Sequence, residues 1–247
     1  NRMFEKTLTL ISLSKAYCVP GLRAGVAIGK TENISEMHYR LLNSSSSATL
    51  PAMIALNAVV DAPKKEREDY LHSNSQEYSF RRDLMGALVN GVQKTEMTFS
   101  QKIRVYQLIL ENEAAEKPVD KKLLKLILSG MPLVRTLTQP QGCFFHLLDI
   151  SKLIGANVGH VAPLQTSTDV RNAIYSICNI DTVPGEMSAN FFNYSLRMSF
   201  SLAPQQIYSA CKNIHLFIGN YIIKHNPDIL AKNHFVEALA FKSMDAE

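Results

Sequence analysis

Apolar side chains recur at helical spacing in two long segments of this chain. In the first segment they stand at every fourth residue: Phe80, Leu84, Leu88 and Val92. In the second they follow Pro204, a residue suited to the first turn of a helix: Ile207, Cys211, Ile214 and Ile218. Residues three or four apart share one face of a helix, so each set predicts a buried face. We therefore predict helices over about residues 78–92 and from residue 204 onward.

Shorter helices are predicted where polar caps and breakers flank apolar residues. They cover Glu32 to Leu42, about Ala48 to Val60, and a segment capped by Ser167 that carries Val170, Ile174 and Ile177. In the second of these helices, Leu50, Ile54 and Val59 or their neighbours are expected to be buried. The charged residues from Lys64 to Asp69 are predicted to open a solvated stretch before the helix at about residue 78.

Residues 95–132 predict a helical hairpin. The first helix is expected to be capped by Ser100 and ended by Pro118, with the apolar residues Ile103, Tyr106, Ile109 and Leu110. The second is expected to be capped by Asp120 and ended by Gly130, with Leu123, Leu124, Ile127 and Leu128. These apolar stripes either cover this domain or contact a partner, and core packing is the commoner use of such a stripe.

Runs of β-branched and apolar residues predict strands between the helices. They are Thr7 to Ser12, Arg23 to Gly29, Leu133 to Leu137, Cys143 to Asp149, and Leu196 to Ser201. With 247 residues, of which 46% are hydrophobic and 19% charged, the chain suits one or two globular domains. The net charge of +4 comes without a basic run long enough to predict nucleic-acid binding. No apolar run approaches a membrane span, and four cysteines without paired spacing predict reduced thiols in a cytoplasmic protein.

The most specific pattern follows the first predicted strand. It reads Ser12-Leu13-Ser14-Lys15, a short loop, Pro20-Gly21, and then Arg23 and Gly25. A lysine amine can attack an aldehyde, while hydroxyls and a guanidinium can bind a phosphate dianion. Glycines at these places let the backbone turn and approach closely. The alternative to a cofactor site is an ordinary strand, turn and strand in which Lys15 is a solvated surface charge.

The whole pattern resembles the cofactor-lysine motif of pyridoxal-phosphate-dependent aminotransferases of classes I and II, the fold-type I family. That motif is Ser-x-Ser-Lys, a loop, Pro-Gly and x-Arg-x-Gly. The resemblance implies that Lys15 bonds the aldehyde of pyridoxal 5′-phosphate and is the catalytic residue. It also implies that Ser12, Ser14 and Arg23 bind the cofactor. Tyr17 either touches the cofactor or packs beside it.

A second segment extends the resemblance. Leu196-Arg197-Met198-Ser199-Phe200 follows the turn at Pro184-Gly185 and is similar to the family strand whose arginine holds the substrate α-carboxylate. The resemblance therefore implies that Arg197 binds substrate, although a lone arginine on a strand is more often a surface charge. Cys211 and His215 stand four apart on a helix and are a possible metal pair, but a buried cysteine beside a histidine at the core boundary is the commoner arrangement, and no metal is expected.

The resemblance implies an α/β fold: the end of the fold-type I large domain, then an α+β small domain with a helical insertion. We expect residues 1–77 to belong to the large, cofactor-binding domain and residues 78–94 to form a connecting helix. Residues 95–132 are then the insertion, 133–225 the small domain and 226–247 a tail. In the family a large part of the protein precedes the lysine. We therefore expect this chain to be the C-terminal part of such a protein.

The implied activity is transamination between an amino acid and a 2-oxo acid, by a cytoplasmic homodimer without nucleic-acid or membrane partners. The isolated chain is expected to be inactive. Members of the resembling family also catalyse lyase and decarboxylase reactions with the same lysine. Another pyridoxal-phosphate reaction is therefore one alternative to transamination. The other is a non-catalytic, amino-acid-sensing domain of a regulator.

Overall fold

A computed structural model describes residues 3–44, 48–114, 121–159, 162–187 and 193–232. The chain divides into two compact units, Asn1–Gln76 and Glu77–Glu247. The long helix α4 (Lys64–Asn90) contributes residues to both units.

The first unit is built on one antiparallel strand pair and three helices before α4. Strands β1 (Thr9–Ser12) and β2 (Gly25–Ile28) pair so that Thr9 faces Ile28 and Ser12 faces Gly25. Between the strands lie the short helix α1 (Leu13–Ala16) and a 3-10 turn over Pro20–Leu22. Helices α2 (Thr31–Ser44) and α3 (Leu50–Asp61) follow.

The buried core of the first unit is small and consists of Leu13, Ala24 and Ala52. Helix α3 contributes Ala52, with Leu56 and Val59 half-buried against it. Of the residues named in the prediction, Val59 lies on the inward face, whereas Leu50 is 65% exposed and Ile54 is 60% exposed, and their neighbours Ala52 and Leu56 take the inward positions. The inward face of α3 follows the spacing 52, 56 and 59, which leaves Leu50 and Ile54 on the outward face.

The second unit contains a four-stranded antiparallel sheet in the order β3-β4-β6-β5. The strands are β3 (Arg135–Thr136), β4 (Phe145–Asp149), β5 (Val183–Pro184) and β6 (Ser195–Ser199). The helices are α5 (Phe99–Ala114), α6 (Lys121–Ser129), α7 (Ser167–Cys178), α8 (Pro204–Phe217) and α9 (Ile229–Lys232). Helix α8 continues as a π-helical stretch over Ile218–Ile223.

Both long apolar repeats are buried in the core of the second unit, as predicted. Their members are Phe80, Leu84, Leu88, Val92, Ile207, Cys211, Ile214 and Ile218. The helix that carries the first repeat begins at Lys64, earlier than predicted. The charged stretch is solvated as predicted, with only Arg67 half-buried. Lysine, glutamate and arginine are good helix formers, and Lys64 also pairs with Glu68 one turn later at 3.6 Å.

Both helices of the predicted hairpin exist, and part of their apolar surface packs in the core. Helix α5 buries Val105, Leu108 and Ile109, whereas Ile103 and Leu110 are 39% and 44% exposed. The cap is Thr98 rather than Ser100, because Thr98 N–H donates to Gln101 Oε1 at 2.9 Å. In α6, Ile127 is buried, with Leu124 and Leu128 half-buried against the core. The predicted cap Asp120, the stop Pro118 and the Leu123 side chain lie outside the described residues.

Polar contacts fix the hairpin to the last long helix. Glu113 on α5 accepts hydrogen bonds from the Tyr208 hydroxyl at 2.6 Å and from Lys212 Nζ at 2.5 Å, both on α8.

Helix α7 is capped by Thr166 rather than by the predicted Ser167, through a capping box with Asp169. None of the helices in the described ranges is both long and apolar enough to cross a membrane.

Candidate functional site

The Lys15 segment is held by local backbone contacts. Ser12 ends β1 in an extended conformation and caps α1, where its Oγ accepts a hydrogen bond from Ser14 N–H at 3.2 Å. Leu13 is buried, and its N–H donates to the carbonyl of Ala24 at 3.3 Å. These contacts place Lys15 in the single turn of α1, directly after a strand end that is tied to the start of β2.

Arg23 lies at the end of the loop that joins α1 to β2. It adopts the left-handed conformation with φ 54° and ψ 40°, and its Nη1 donates to the carbonyl of Pro20 at 3.1 Å. Gly25 faces Ser12 across the strand pair, and a Cβ there would lie 2.9 Å from the carbonyl oxygen of Ile11. Gly25 is therefore required by close approach. At Gly21 an added Cβ would meet nothing within 4 Å, so the structure does not require glycine there.

Tyr17 packs against α4. Its ring stacks on the ring of Tyr70 with centroids 5.7 Å apart and planes at 12°. The Tyr70 hydroxyl also donates to the carbonyl of Tyr17 at 3.3 Å. Of the two roles predicted for Tyr17, packing is the one for which the structure provides contacts, and those contacts fix the chain immediately after Lys15.

The segment brings together four of the five predicted site residues: Ser12, Ser14, Lys15 and Arg23. Three are exposed and Ser14 is half-buried. The set comprises two hydroxyls, one primary amine and one guanidinium. Hydroxyl and guanidinium N–H groups donate to phosphate oxygens, and a primary amine condenses with an aldehyde. The donor chemistry of this segment therefore fits an aldehyde cofactor that carries a phosphate.

The fifth predicted residue, Arg197, belongs to the second unit. It lies on β6, between Leu147 on β4 and Val183 on β5. Leu196 and Met198 on either side of it point into the core, so the Arg197 side chain lies on the opposite face of the sheet. Its Cζ is 4.5 Å from the centroid of the Phe145 ring. Its Nε is buried, and no described residue accepts a hydrogen bond from it.

Two residues beside Arg197 were not singled out from the sequence. Phe145 supplies the ring that lies against Arg197. The strand alternation of β4 places Phe145 on the face opposite the buried His146, and this alternation is the pattern that could have identified it. His146 is fully buried on the other face, where its Nε2 lies 2.9 Å from the carbonyl oxygen of Arg82. Burial lowers the pKa of His146 below its usual value, which keeps the ring neutral.

Cys211 and His215, the weak metal candidates, both lie in the core. Burial raises the pKa of the Cys211 thiol to about 12 and lowers the pKa of His215 to about 4. Within the described ranges, no group of three or more His, Cys, Asp or Glu side chains is placed to hold a metal ion. A neutral thiol and a neutral imidazole in an apolar core are ordinary packing groups.

Comparison with known families identifies the segment that contains these residues. Residues 2–214 match the family model described as aminotransferase class I and II. The chain belongs to this family. Its members use pyridoxal phosphate, the kind of aldehyde and phosphate that the donor set of the first unit fits.

Two similar proteins carry related names. The chain is 25% identical over 218 residues to the aspartate/prephenate aminotransferase of Cereibacter sphaeroides, covering 87% of this chain and 42% of that protein. It is 23% identical over 218 residues to a probable aspartate/prephenate aminotransferase of Rhizobium leguminosarum, covering 88% and 43% respectively. The chain thus spans less than half the length of these relatives.

Solved structures agree on the fold. The aspartate aminotransferase of Rhizobium meliloti superposes with a TM-score of 0.58 at 18% identity, covering 86% of this chain and 42% of that one. The aromatic aminotransferase of Pyrococcus horikoshii gives a TM-score of 0.58 at 15% identity, covering 89% and 45%. At such identities the likeness shows a mixed α/β aminotransferase fold and no more.

Proposed function

We propose that this chain carries part of the machinery of a pyridoxal-phosphate-dependent aminotransferase that acts on an amino acid and a 2-oxo acid. The observation that carries the proposal is the Ser12–Lys15 turn, tied to Ala24 and Gly25, in a chain of the aminotransferase class I and II family. The names of the two similar proteins support transamination as the reaction class.

Within this proposal, Lys15 would hold pyridoxal phosphate through its aldehyde carbon and, when its amine is free, would move a proton at the substrate Cα. The α1 turn presents its amine directly after the capped strand end. The hydroxyls of Ser12 and Ser14 and the guanidinium of Arg23 bind the phosphate. When bound, pyridoxal phosphate supplies the electron sink that stabilises the deprotonated substrate.

Arg197 binds the α-carboxylate of the substrate in this proposal. A guanidinium can hold a carboxylate with two parallel hydrogen bonds, which orients the amino acid as well as binding it. Orientation matters because the Cα–H bond must be aligned before a proton can be removed efficiently. The half-buried position of Arg197 on a central strand supports this role, since packing limits its rotamers.

We also propose the domain arrangement expected from the family resemblance: the end of a large domain up to about residue 77, and a small domain over residues 133–225. Residues 95–132 are the insertion in this arrangement. A cytoplasmic homodimer remains our prediction on the same ground.

The length of the chain supports a proposal about residues 1–247 by themselves. Because they span 42% of the Cereibacter relative, we propose that they bind pyridoxal phosphate weakly and show negligible transaminase activity. Cofactor titration, an assay with amino acids and 2-oxoglutarate, and the solution mass test this. Robust turnover by a monomer would contradict it.

Chemical trapping tests the role of Lys15 without an activity assay. The protein is incubated with increasing pyridoxal phosphate, reduced with borohydride and digested, and modified lysines are located by mass spectrometry. We expect Lys15 to be labelled at lower cofactor concentrations than Lys30, an exposed lysine paired with Glu32 in the same unit. Lys15→Ala should remove the labelling seen at low cofactor concentrations and Lys30→Ala should not. Equal labelling of both lysines would refute the assignment.

A further inference from the structure

The ring of Phe145 lies against the guanidinium of Arg197 in the second unit. We propose that Phe145 is a positioning residue that holds this guanidinium so that its terminal Nη1 and Nη2 groups face a substrate carboxylate. The inference rests on the proposed role of Arg197 in binding the substrate carboxylate. It adds a role for Phe145 and specifies that the carboxylate binds at the Nη1 and Nη2 end of the guanidinium.

Strand register brings the two side chains to the same face. Phe145 pairs with Ser199 and Leu147 pairs with Arg197, so Phe145 and Arg197 are diagonal neighbours across β4 and β6. Diagonal neighbours on one face of an antiparallel pair are within reach of aromatic and long side chains. Both residues are half-buried, whereas the residues between them on each strand face the core.

The contact has the geometry of a cation–π interaction. The distance of 4.5 Å from Cζ to the ring centroid is well inside the limit of about 6 Å for such pairs. The guanidinium carbon therefore lies over the Phe145 ring, and this attraction holds the guanidinium against β4. Rotation of Arg197 away from this orientation would lose that attraction.

Burial of Nε then selects the edge that is left for a ligand. Arg197 is half-buried as a residue, but its Nε has almost no exposed surface and no hydrogen-bond acceptor among the described residues. A carboxylate cannot reach a nitrogen that is covered. With Nε covered, a bidentate contact must be made end-on, through Nη1 and Nη2.

The position of the ring is itself fixed by its neighbours. The Phe144 and Phe145 rings are 4.3 Å apart at an angle of 44°. The carbonyl of Phe144 accepts a hydrogen bond from Phe200 N–H at 2.9 Å, which ties this end of β4 to the residue after β6. Phe145 is thus held from the strand side and does not depend on Arg197 for its place.

Protection of Arg197 from an arginine-specific reagent tests the inference in the protein as it stands, without cofactor or turnover. Modification of Arg197 by phenylglyoxal is followed by mass spectrometry at increasing succinate, with succinamide as an uncharged control of similar shape. In the wild-type protein, succinate should protect Arg197 and succinamide should not. Phe145→Leu and Phe145→Met keep an apolar side chain without a π face, and each should raise the half-protecting succinate concentration by about 3- to 10-fold.

Two further variants separate positioning from a general structural effect. Phe145→Tyr keeps the ring and should restore protection at the wild-type succinate concentration. Tyr175→Leu removes a ring that contacts a different arginine, Arg171, and should leave protection of Arg197 within about twofold. Equal protection in the wild-type protein and in both ring-less variants would overturn the role of Phe145. Absence of protection in the wild-type protein would instead remove the carboxylate role of Arg197, and this inference with it.

Discussion

The two units of the chain hold their predicted functional residues by different means. In the first unit, only Leu13, Ala24 and Ala52 form the buried core, and the Lys15 turn is fixed by a cap, a short loop and backbone hydrogen bonds. In the second unit, Arg197 lies on a central strand of a sheet whose other face packs on an extensive apolar core. Local contacts can place a turn, but a small core supplies little of the free energy of folding.

Exposed apolar side chains show the same contrast. The first unit leaves many large apolar residues exposed, among them Leu10, Ile11, Leu41, Leu42, Leu50 and Ile54. Numerous exposed apolar side chains of this kind are expected where another segment or chain covers part of the surface. We therefore expect the first unit to depend on added contacts for its stability, and the second unit to be stable through its own core.

Core truncation gives the largest expected difference between the units. Leu84 is fully buried on α4 in the second unit, so Leu84→Ala should lower the free energy of unfolding by about 2–5 kcal/mol. Leu50 lies exposed on α3 in the first unit, so Leu50→Ala should change it by less than about 0.5 kcal/mol. Urea unfolding followed by circular dichroism measures both. Similar losses for the two variants would refute the contrast.

Acid should destabilise the second unit through His215. Burial lowers the pKa of His215 from 6.5 to about 4, so the unfolded chain binds this proton first as pH falls. The contribution of neutral His215 to the free energy of unfolding is fully present above pH 6.5. It is lost progressively between pH 6.5 and about 4, up to about 3 kcal/mol in total. The measurement is the free energy of unfolding at about pH 7.5 and at about pH 5. His215→Leu should reduce the slope, leaving a contribution of the same sign from His146, whose pKa burial also lowers.

Loss of a helix cap should have a smaller effect on the free energy of unfolding than core truncation, and the effect should differ between the two units. Thr166 caps the long helix α7 through a capping box, and Thr166→Ala should cost about 1 kcal/mol of unfolding free energy. Ser12 caps the single turn α1, so Ser12→Ala should loosen that turn rather than the whole unit. Hydrogen exchange of peptides from each unit distinguishes the outcomes. Protection of residues 12–16 that is unaffected by Ser12→Ala would show that the cap is dispensable.

Thiol labelling gives the mildest comparison. Cys18 in the first unit and Cys143 in the second are exposed, whereas Cys211 is buried with a pKa raised to about 12. A thiol reagent should therefore label Cys18 and Cys143 in the folded protein, and Cys211 only after unfolding. Mass spectrometry of labelled peptides reads the result. Rapid labelling of Cys211 under native conditions would contradict the buried position of α8.

Sequence patterns located most helices and misplaced several of their ends and faces. The repeats at Phe80 and Ile207 are long and regular, so one face had to be buried wherever the helices packed. The face of α5 was less certain because Ile103 and Leu110 compete with Val105 and Leu108 for the core. Thr98 and Thr166 act as caps one or two residues before the serines that were predicted, an offset that depends on local backbone geometry.

The sequence by itself determined the Lys15 motif and the family, because the motif depends on residue types at short spacing and on a turn that local contacts fix. It also determined the two regular core faces, for the same reason of short range. Only the tertiary structure decided which side of α5 is buried, that His215 lies in an apolar core, and that Phe145 covers Arg197. Each of these depends on which strands and helices become neighbours, and residues distant along the chain set those contacts.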